Sequence, residues 1–310
     1  MTLLIREDTF PNFQFVDISH KDEIEGFTKN FPPYSDFSFT SLWAYNTNSS
    51  AKFCWLNNNL VICMPDYTNS QLVFSFLGNN KTTDTVNKLI AYINENNFSA
   101  EINIVPEISV KELLLNTKIQ FSIEENQDQH DYVIPLKESA ELTNVHHHKV
   151  TKYQKFMELF PDHQVKLIDL SNTDSHNIIL DLFMRWANQK NKNLQDIEIE
   201  LTALKRVMQY HQHFELLTHG IFIDDKLVGF TIDERVHDSF VIGHFIKADM
   251  EFPGTYEVLN KITAEIHYKM GYKYINIEQD LGIPGLRLSK SQRSPVFYLK
   301  KYVIKPVTTQ

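Results

Sequence analysis

The sequence predicts an α/β (α+β) chain of two tandem domains, each a mixed sheet flanked by helices. Three observations predict it. First, NKLIAYINENNFSAEINI, residues 87–104, aligns without a gap to NKITAEIHYKMGYKYINI, residues 260–277, an offset of 173. Asn87 and Asn260, Lys88 and Lys261, Ala91 and Ala264 coincide, as do Ile102-Asn103-Ile104 and Ile275-Asn276-Ile277. Second, a hairpin pattern precedes each copy: FCWLNNNLVICMPD, residues 53–66, and GIFIDDKLVGFTIDE, residues 220–234. Third, a further strand pattern lies between hairpin and helix in both halves, QLVFSFLG in one and SFVIGHFIKAD in the other. Matching residues in matching order are the mark of an internal duplication.

Each repeated element has a physical reason. The 87–104 and 260–277 copies carry apolar residues at helical spacing and then a short apolar run, so each reads as an amphipathic helix followed by a strand. Gly271 in the second copy is a helix stop, because glycine accepts the left-handed conformation after a helix end. The hairpin centres are rich in Asn and Asp, which tolerate positive φ. DSHNIILDLFMRWANQKN and IEIELTALKRVMQYHQHF, residues 174–191 and 197–214, read as the opening helices of the second half. DYVIPL, residues 131–136, reads as a short strand. The expected boundary falls near residue 140, giving an N-terminal domain over 1–140 and a C-terminal domain over 141–310.

Composition narrows the function classes. The 310 residues are 42% apolar and 12% aromatic, which supports packed cores rather than disorder. The net charge is −9, and it is uneven: residues 1–144 hold 9 Lys/Arg against 19 Asp/Glu, and the remainder 21 against 20. A protein that coats nucleic acid by bulk charge is basic, and this one is not. A local basic strip is present, since no acid follows Leu281 while Arg287, Lys290, Arg293, Lys300, Lys301 and Lys305 do. Two cysteines, Cys54 and Cys63, make no disulfide framework. MTLLIREDTF has no signal-peptide pattern and no long apolar run exists, so a cytoplasmic location without an integral membrane segment is expected.

Two stretches are distinctive: FPPYSDFSFTSLWAYN, residues 31–46, and EQDLGIPGLRLSKSQRSPVFYLKKY, residues 278–302. Together with four strands around a helix, twice, they resemble the soluble group classed with the C-terminal catalytic domain of phosphatidylglycerol lysyltransferase. The resemblance spans nearly the whole chain and implies two tandem GNAT-like domains. It also implies an architecture related to enzymes that move an amino acid from aminoacyl-tRNA to a lipid or peptidoglycan precursor. Members usually carry a Lys/Arg-rich stretch before the second domain; here it reads HHHKVTKYQKF, with His146, His147 and His148 in place of stronger cations.

The candidate site lies in the second half, and the first is expected to be structural. Glu278 and Asp280 follow the strand YINI, and alternation would place both on one face, suiting a general base. Capping of turn amides, or pairing with Arg287, is the alternative. The Gly282-Ile283-Pro284-Gly285 turn would aim Arg287, with Lys290, at a donor phosphate or a substrate carboxylate. KADMEFPGTYEVLN, residues 247–260, occupies the place of an acyl-CoA pyrophosphate loop. It lacks the cation and the second small residue of such a loop, and Asp249 and Glu251 oppose phosphate. The helix start at Gly254, Thr255 and Tyr256 would orient a donor carbonyl, and Asn260 is a further substrate-binding candidate. Asp36 and Ser35 are candidate helix caps, and Tyr34 and Trp43 candidate pocket walls or core. The His-rich stretches lack carboxylate or Cys partners at ligand spacing, so no metal is expected.

The expected function is an acyl- or aminoacyl-transferase acting on an amine or hydroxyl. Acyl-CoA or aminoacyl-tRNA would be the donor, and no bound cofactor is expected. A non-catalytic module binding a small polar ligand, a peptide or RNA is the alternative. Oligomeric state is left open.

Overall fold

The computed structural model describes residues 6–66, 71–98, 101–116, 120–237 and 239–307. The strands are β1 (Gln14–Phe15), β2 (Lys52–Leu56), β3 (Asn59–Pro65), β4 (Leu72–Leu77), β5 (Ile102–Pro106), β6 (Phe121–Glu125), β7 (Asp131–Pro135), β8 (Gln164–Leu167), β9 (Leu216–Ile223), β10 (Lys226–His237), β11 (Phe240–Ala248), β12 (Tyr274–Asn276), β13 (Phe297–Leu299) and β14 (Lys301–Pro306). The helices are α1 (Lys21–Thr28), α2 (Phe39–Ala44), α3 (Thr82–Glu95), α4 (Glu107–Val110), α5 (Leu136–Glu141), α6 (His147–Leu159), α7 (Thr173–Gln189), α8 (Leu194–Gln209), α9 (Thr255–Lys269) and α10 (Pro284–Ser291).

Two compact units form. The first comprises the chain up to Asp131, residues 279–283 and the chain from Leu299; the second comprises 132–278 and 284–298. Each holds one mixed sheet, ordered β1-β2-β3-β4-β5-β14-β6 in the first and β13-β7-β12-β11-β10-β9-β8 in the second. The two halves repeat one plan: an antiparallel hairpin, a third antiparallel strand, a helix, and a strand parallel to the third. This is the GNAT-like arrangement, twice. The hairpin turns are built alike, with Asn57 and Asn58 at φ 54° and 58°, and Asp224 and Asp225 at φ 48° and 61°. Two successive positive φ angles make the type I′ turn, whose twist matches that of paired strands.

The duplication extends further than the helix–strand copies. Asp131-Tyr132-Val133-Ile134 opens β7, and Lys301-Tyr302-Val303-Ile304 opens β14. Each half donates this strand to the other half's sheet. β14 lies between β5 and β6, and β7 pairs antiparallel with β12. The SPVFYLKKYVI segment thus forms two strands, β13 and β14, serving different sheets. Lys301 is not on a solvated edge. It is fully buried inside the first unit.

In the first unit the sheet packs under α3, whose Val86, Leu89 and Ile93 meet Phe74, Phe76, Ile102 and Ile304. In the second, α9 buries Ala264 against Val241 and Ile275, and Val258 and Leu259 against Ile221, Val228 and Phe156. Helix α9 is thus fixed along its length by apolar contacts, and its first turn is held in register with the end of β11.

Candidate active site

The second sheet opens at one point. Strands β11 and β12 pair in parallel only from Phe240 to Ile242 and from Tyr274 to Asn276. The partner strand β10 pairs Ile232 with Phe245 and Asp233 with Gly243, so His244 is an extra, bulged residue on β11. A bulge bends its strand and re-aims the side chain it carries. Where the two parallel strands part, a cleft of about 670 Å³ lies within the second unit. Its floor includes His244, Asp233 and Glu278; its walls include the start of α9, Lys149 and Lys152 from α6, and Lys290 from α10.

A triad of His244, Glu234 and Glu278 sits at the opening. His244 Nε2 lies 2.8 Å from Glu234 Oε2, and His244 Nδ1 lies 3.5 Å from Glu278 Oε1. Burial disfavours the imidazolium, but the hydrogen bonds to Glu234 and Glu278 outweigh it and raise His244 to about 9. His244 is therefore charged at neutral pH and is no base. Glu234 is 4% exposed and Glu278 24%, so Glu278 is the carboxylate of the triad that reaches the cleft. Its backbone is constrained: Glu278 has φ 60°, and its amide donates to Asn276 Oδ1 at 2.7 Å. A non-glycine residue in the left-handed region persists only where its surroundings enforce it, and such residues gather at functional sites.

The start of α9 is held by a second polar hub. Asp249 is buried and accepts from Arg185 Nε at 3.0 Å, Gln189 Nε2 at 2.8 Å and the Glu251 amide at 3.1 Å, with Lys226 Nζ at 3.1 Å. Burial works against its charge, but these donors hold its carboxyl below the ordinary range. Asp249 is thus compensated by Arg185 and Lys226, and it shapes the turn rather than repelling anions from the cleft. Gly254 caps α9 with φ 98°, and a Cβ there would lie 2.5 Å from the Lys152 carbonyl oxygen. Glycine is required because α6 passes at van der Waals distance.

The cations missing from the 247–260 loop come from other elements. Lys149 and Lys152 of α6, Lys190 after α7, and Lys290 and Arg293 line the cleft. Lys149 Nζ lies 3.3 Å from Glu257, and Lys290 Nζ donates to the Ile277 carbonyl at 2.6 Å. Lys247 pairs with Glu200 at 2.6 Å and lies 4.2 Å from the Trp186 ring. The sequence did contain the signal for Lys149 and Lys152, in HHHKVTKYQKF. His244 and Trp186 carried none, because a bulge in β11 and the packing of α7 bring them to the cleft.

The predicted residues divide. Glu278, Lys290, Gly254, Thr255, Tyr256 and Asn260 all line the cleft. Burial pushes the Tyr256 phenol up to about 12. Glu278 and Asp280 do not form the expected same-face pair. The strand ends at Asn276 and Glu278 takes positive φ, so alternation fails. Asp280 belongs to the first unit, is fully buried, and accepts from the Gly282 amide at 2.8 Å, the capping alternative. Arg287 sits on α10 and is exposed, and it is not among the residues lining the cleft. The Gly-Ile-Pro-Gly segment starts that helix instead of aiming a rigid loop.

Tyr34, Asp36 and Trp43 are buried in the first unit. Burial pushes Tyr34 up. Asp36 forms an ion pair with Lys301, which also lies 2.7 Å from Asp131. Ser35 donates to Asp131 through its hydroxyl at 2.6 Å and its amide at 2.8 Å. Neither Ser35 nor Asp36 caps α2, whose N-cap is Ser38. This part of the distinctive 31–46 stretch is a buried ionic pin.

Residues 28–305 match the family described as phosphatidylglycerol lysyltransferase, C-terminal. The chain belongs to that family. No curated protein matches it. Among solved structures, a conserved protein of unknown function from Bacteroides thetaiotaomicron is 24% identical, with 95% of this chain and 99% of that one covered and a TM-score of 0.82. L-PGS from Bacillus licheniformis is 10% identical, with 96% and 94% covered and a TM-score of 0.61. At these identities the likeness is one of fold. The family places the chain in the acyl- and aminoacyl-transferase kind. Among the described residues no helix is long and apolar enough to cross a membrane.

Proposed function

We propose that the cleft of the second unit transfers an acyl or aminoacyl group from an activated donor to an amine or hydroxyl, with Glu278 as proton acceptor. The observation that carries this reading is the carboxylate of Glu278, held at the parting of β11 and β12 by a charged His244. Transfer of this kind needs alignment, a proton acceptor and polarisation of the carbonyl. Glu278 takes the proton as the nucleophile attacks and returns it to the departing oxygen or sulfur of the donor. His244, fixed by Glu234, holds Glu278 in place. The positive end of α9, at Gly254 and Thr255, faces the carbonyl oxygen as it gains charge. Lys149, Lys152, Lys190 and Lys290 hold the anionic part of the donor.

Aminoacyl-tRNA is the donor we favour over acyl-CoA. The 247–260 segment has no pyrophosphate-binding pattern, while the cleft cations are spread over α6, α7 and α10, as suits a larger polyanion. The acceptor of the family's named activity, phosphatidylglycerol, is one candidate hydroxyl. The test is a panel of donors: charged tRNA, acetyl-CoA and longer acyl-CoAs, each assayed for thermal stabilisation and for protein-dependent discharge. Stabilisation and discharge by charged tRNA alone is expected. Discharge of an acyl-CoA instead would reassign the donor, and discharge of none would remove the transferase reading of this cleft.

A further inference from the structure

Two cleft cations have no task in the mechanism above, and of these Lys247 is paired with Glu200 whereas Arg293, among the described residues, is not paired. Arg293 follows α10, where its amide donates to the Lys290 carbonyl at 3.1 Å and the next residue, Ser294, turns with φ 55°. Its side chain borders both the main cleft and a side pocket of about 30 Å³. Asp233 and Glu257 are close enough to act on it through space. Each has another partner: His267 Nε2 at 2.9 Å from Asp233, and Lys149 at 3.3 Å from Glu257. Among the described residues, Arg293 makes no ion pair and no side-chain hydrogen bond. The protein does satisfy other arginines. Arg185 binds Asp249 at 3.0 Å and the Leu227 carbonyl at 2.7 Å.

A guanidinium carries five N–H donors in a planar fork that matches an oxyanion. Packed by protein on most sides, it loses hydration, and burial lowers its pKa to about 10, which still leaves it charged at neutral pH. A half-buried cation without a close partner, facing a cleft, is open to an anionic ligand that supplies one. The side pocket holds little more than a water, so the ligand approaches from the cleft.

We propose that Arg293 is a specificity-determining residue that binds an oxyanion, a carboxylate or a phosphate ester, on the substrate occupying the cleft. This rests on reading the cleft as the substrate site, and it adds that an uncharged substrate is discriminated against.

Calorimetric titration of the full chain at constant ionic strength tests it, with inorganic phosphate, glycerol 3-phosphate and glutarate as probes. Saturable binding of at least one is expected, weakened about tenfold or more in Arg293→Gln and unchanged in Arg287→Gln, which removes an exposed charge nearby. Tighter binding of glycerol 3-phosphate points to a phosphate ester, and tighter binding of glutarate to a carboxylate. Equal affinity in wild type and Arg293→Gln, or no saturable binding to wild type, overturns the proposal. A second measurement avoids any folding defect of the variant. Phosphate or glutarate should protect Arg293 of the wild-type chain from phenylglyoxal, read by peptide mass spectrometry, and absence of protection also overturns it. No donor is present in either experiment. Glu278→Gln should bind the same anions, so failure of transfer and failure of this proposal are told apart.

Discussion

His244 and Lys301 show how the same chemistry, a buried cation between two carboxylates, serves two ends. Lys301 is closed off from solvent between Asp36 and Asp131. Replacing it with Met leaves two buried carboxylates facing each other, and we expect a loss of about 3–5 kcal/mol, read as a lower unfolding midpoint. His244 opens on the cleft through Glu278. Its pKa rises from 6.5 to about 9 on folding, so its stabilisation is complete below pH 6.5 and is lost as pH rises through 9. The wild-type unfolding midpoint should fall across that window, and His244→Gln should flatten the profile there. An unchanged slope in the variant would mean that His244 is not the group titrating.

At the scale of elements, glycine conformation separates two helix ends. Gly254 and Gly271 both have φ 98°, but only Gly254 lies against another helix, with Lys152 O and Phe156 Cβ within 3 Å of a would-be Cβ. Gly254→Ala should cost about 2–4 kcal/mol, from backbone strain and overpacking together, and should displace Lys149 and Lys152. Gly271→Ala meets no atom within 4 Å and should cost only about 1 kcal/mol. Equal midpoints for the two variants would contradict this account of α6 packing. The repeated helix and strand, both Asn- and Asp-turned hairpins and the start of α9 were legible in the sequence, because periodicity and turn chemistry are local. The bulge that turns His244, the end of β12 before Glu278 and the exchange of β7 and β14 were not. Each depends on pairing between residues far apart in the chain. The matching DYVI and KYVI strands were visible as text, but nothing local says that each joins the other half's sheet.

The whole molecule is a duplication whose halves have diverged in charge and in use. The first half carries the acidic excess, and its distinctive motif folds into a buried pin. The cleft, the triad and the cations belong to the second unit. The family match agrees with a transferase, and the central claim is that Glu278 is its proton acceptor. The most direct measurement is single-turnover discharge of charged tRNA by wild type and Glu278→Gln, with unfolding midpoints taken on the same samples. Loss of about a hundredfold or more in rate with an unchanged midpoint is the predicted result. Equal rates in two folded proteins would contradict it.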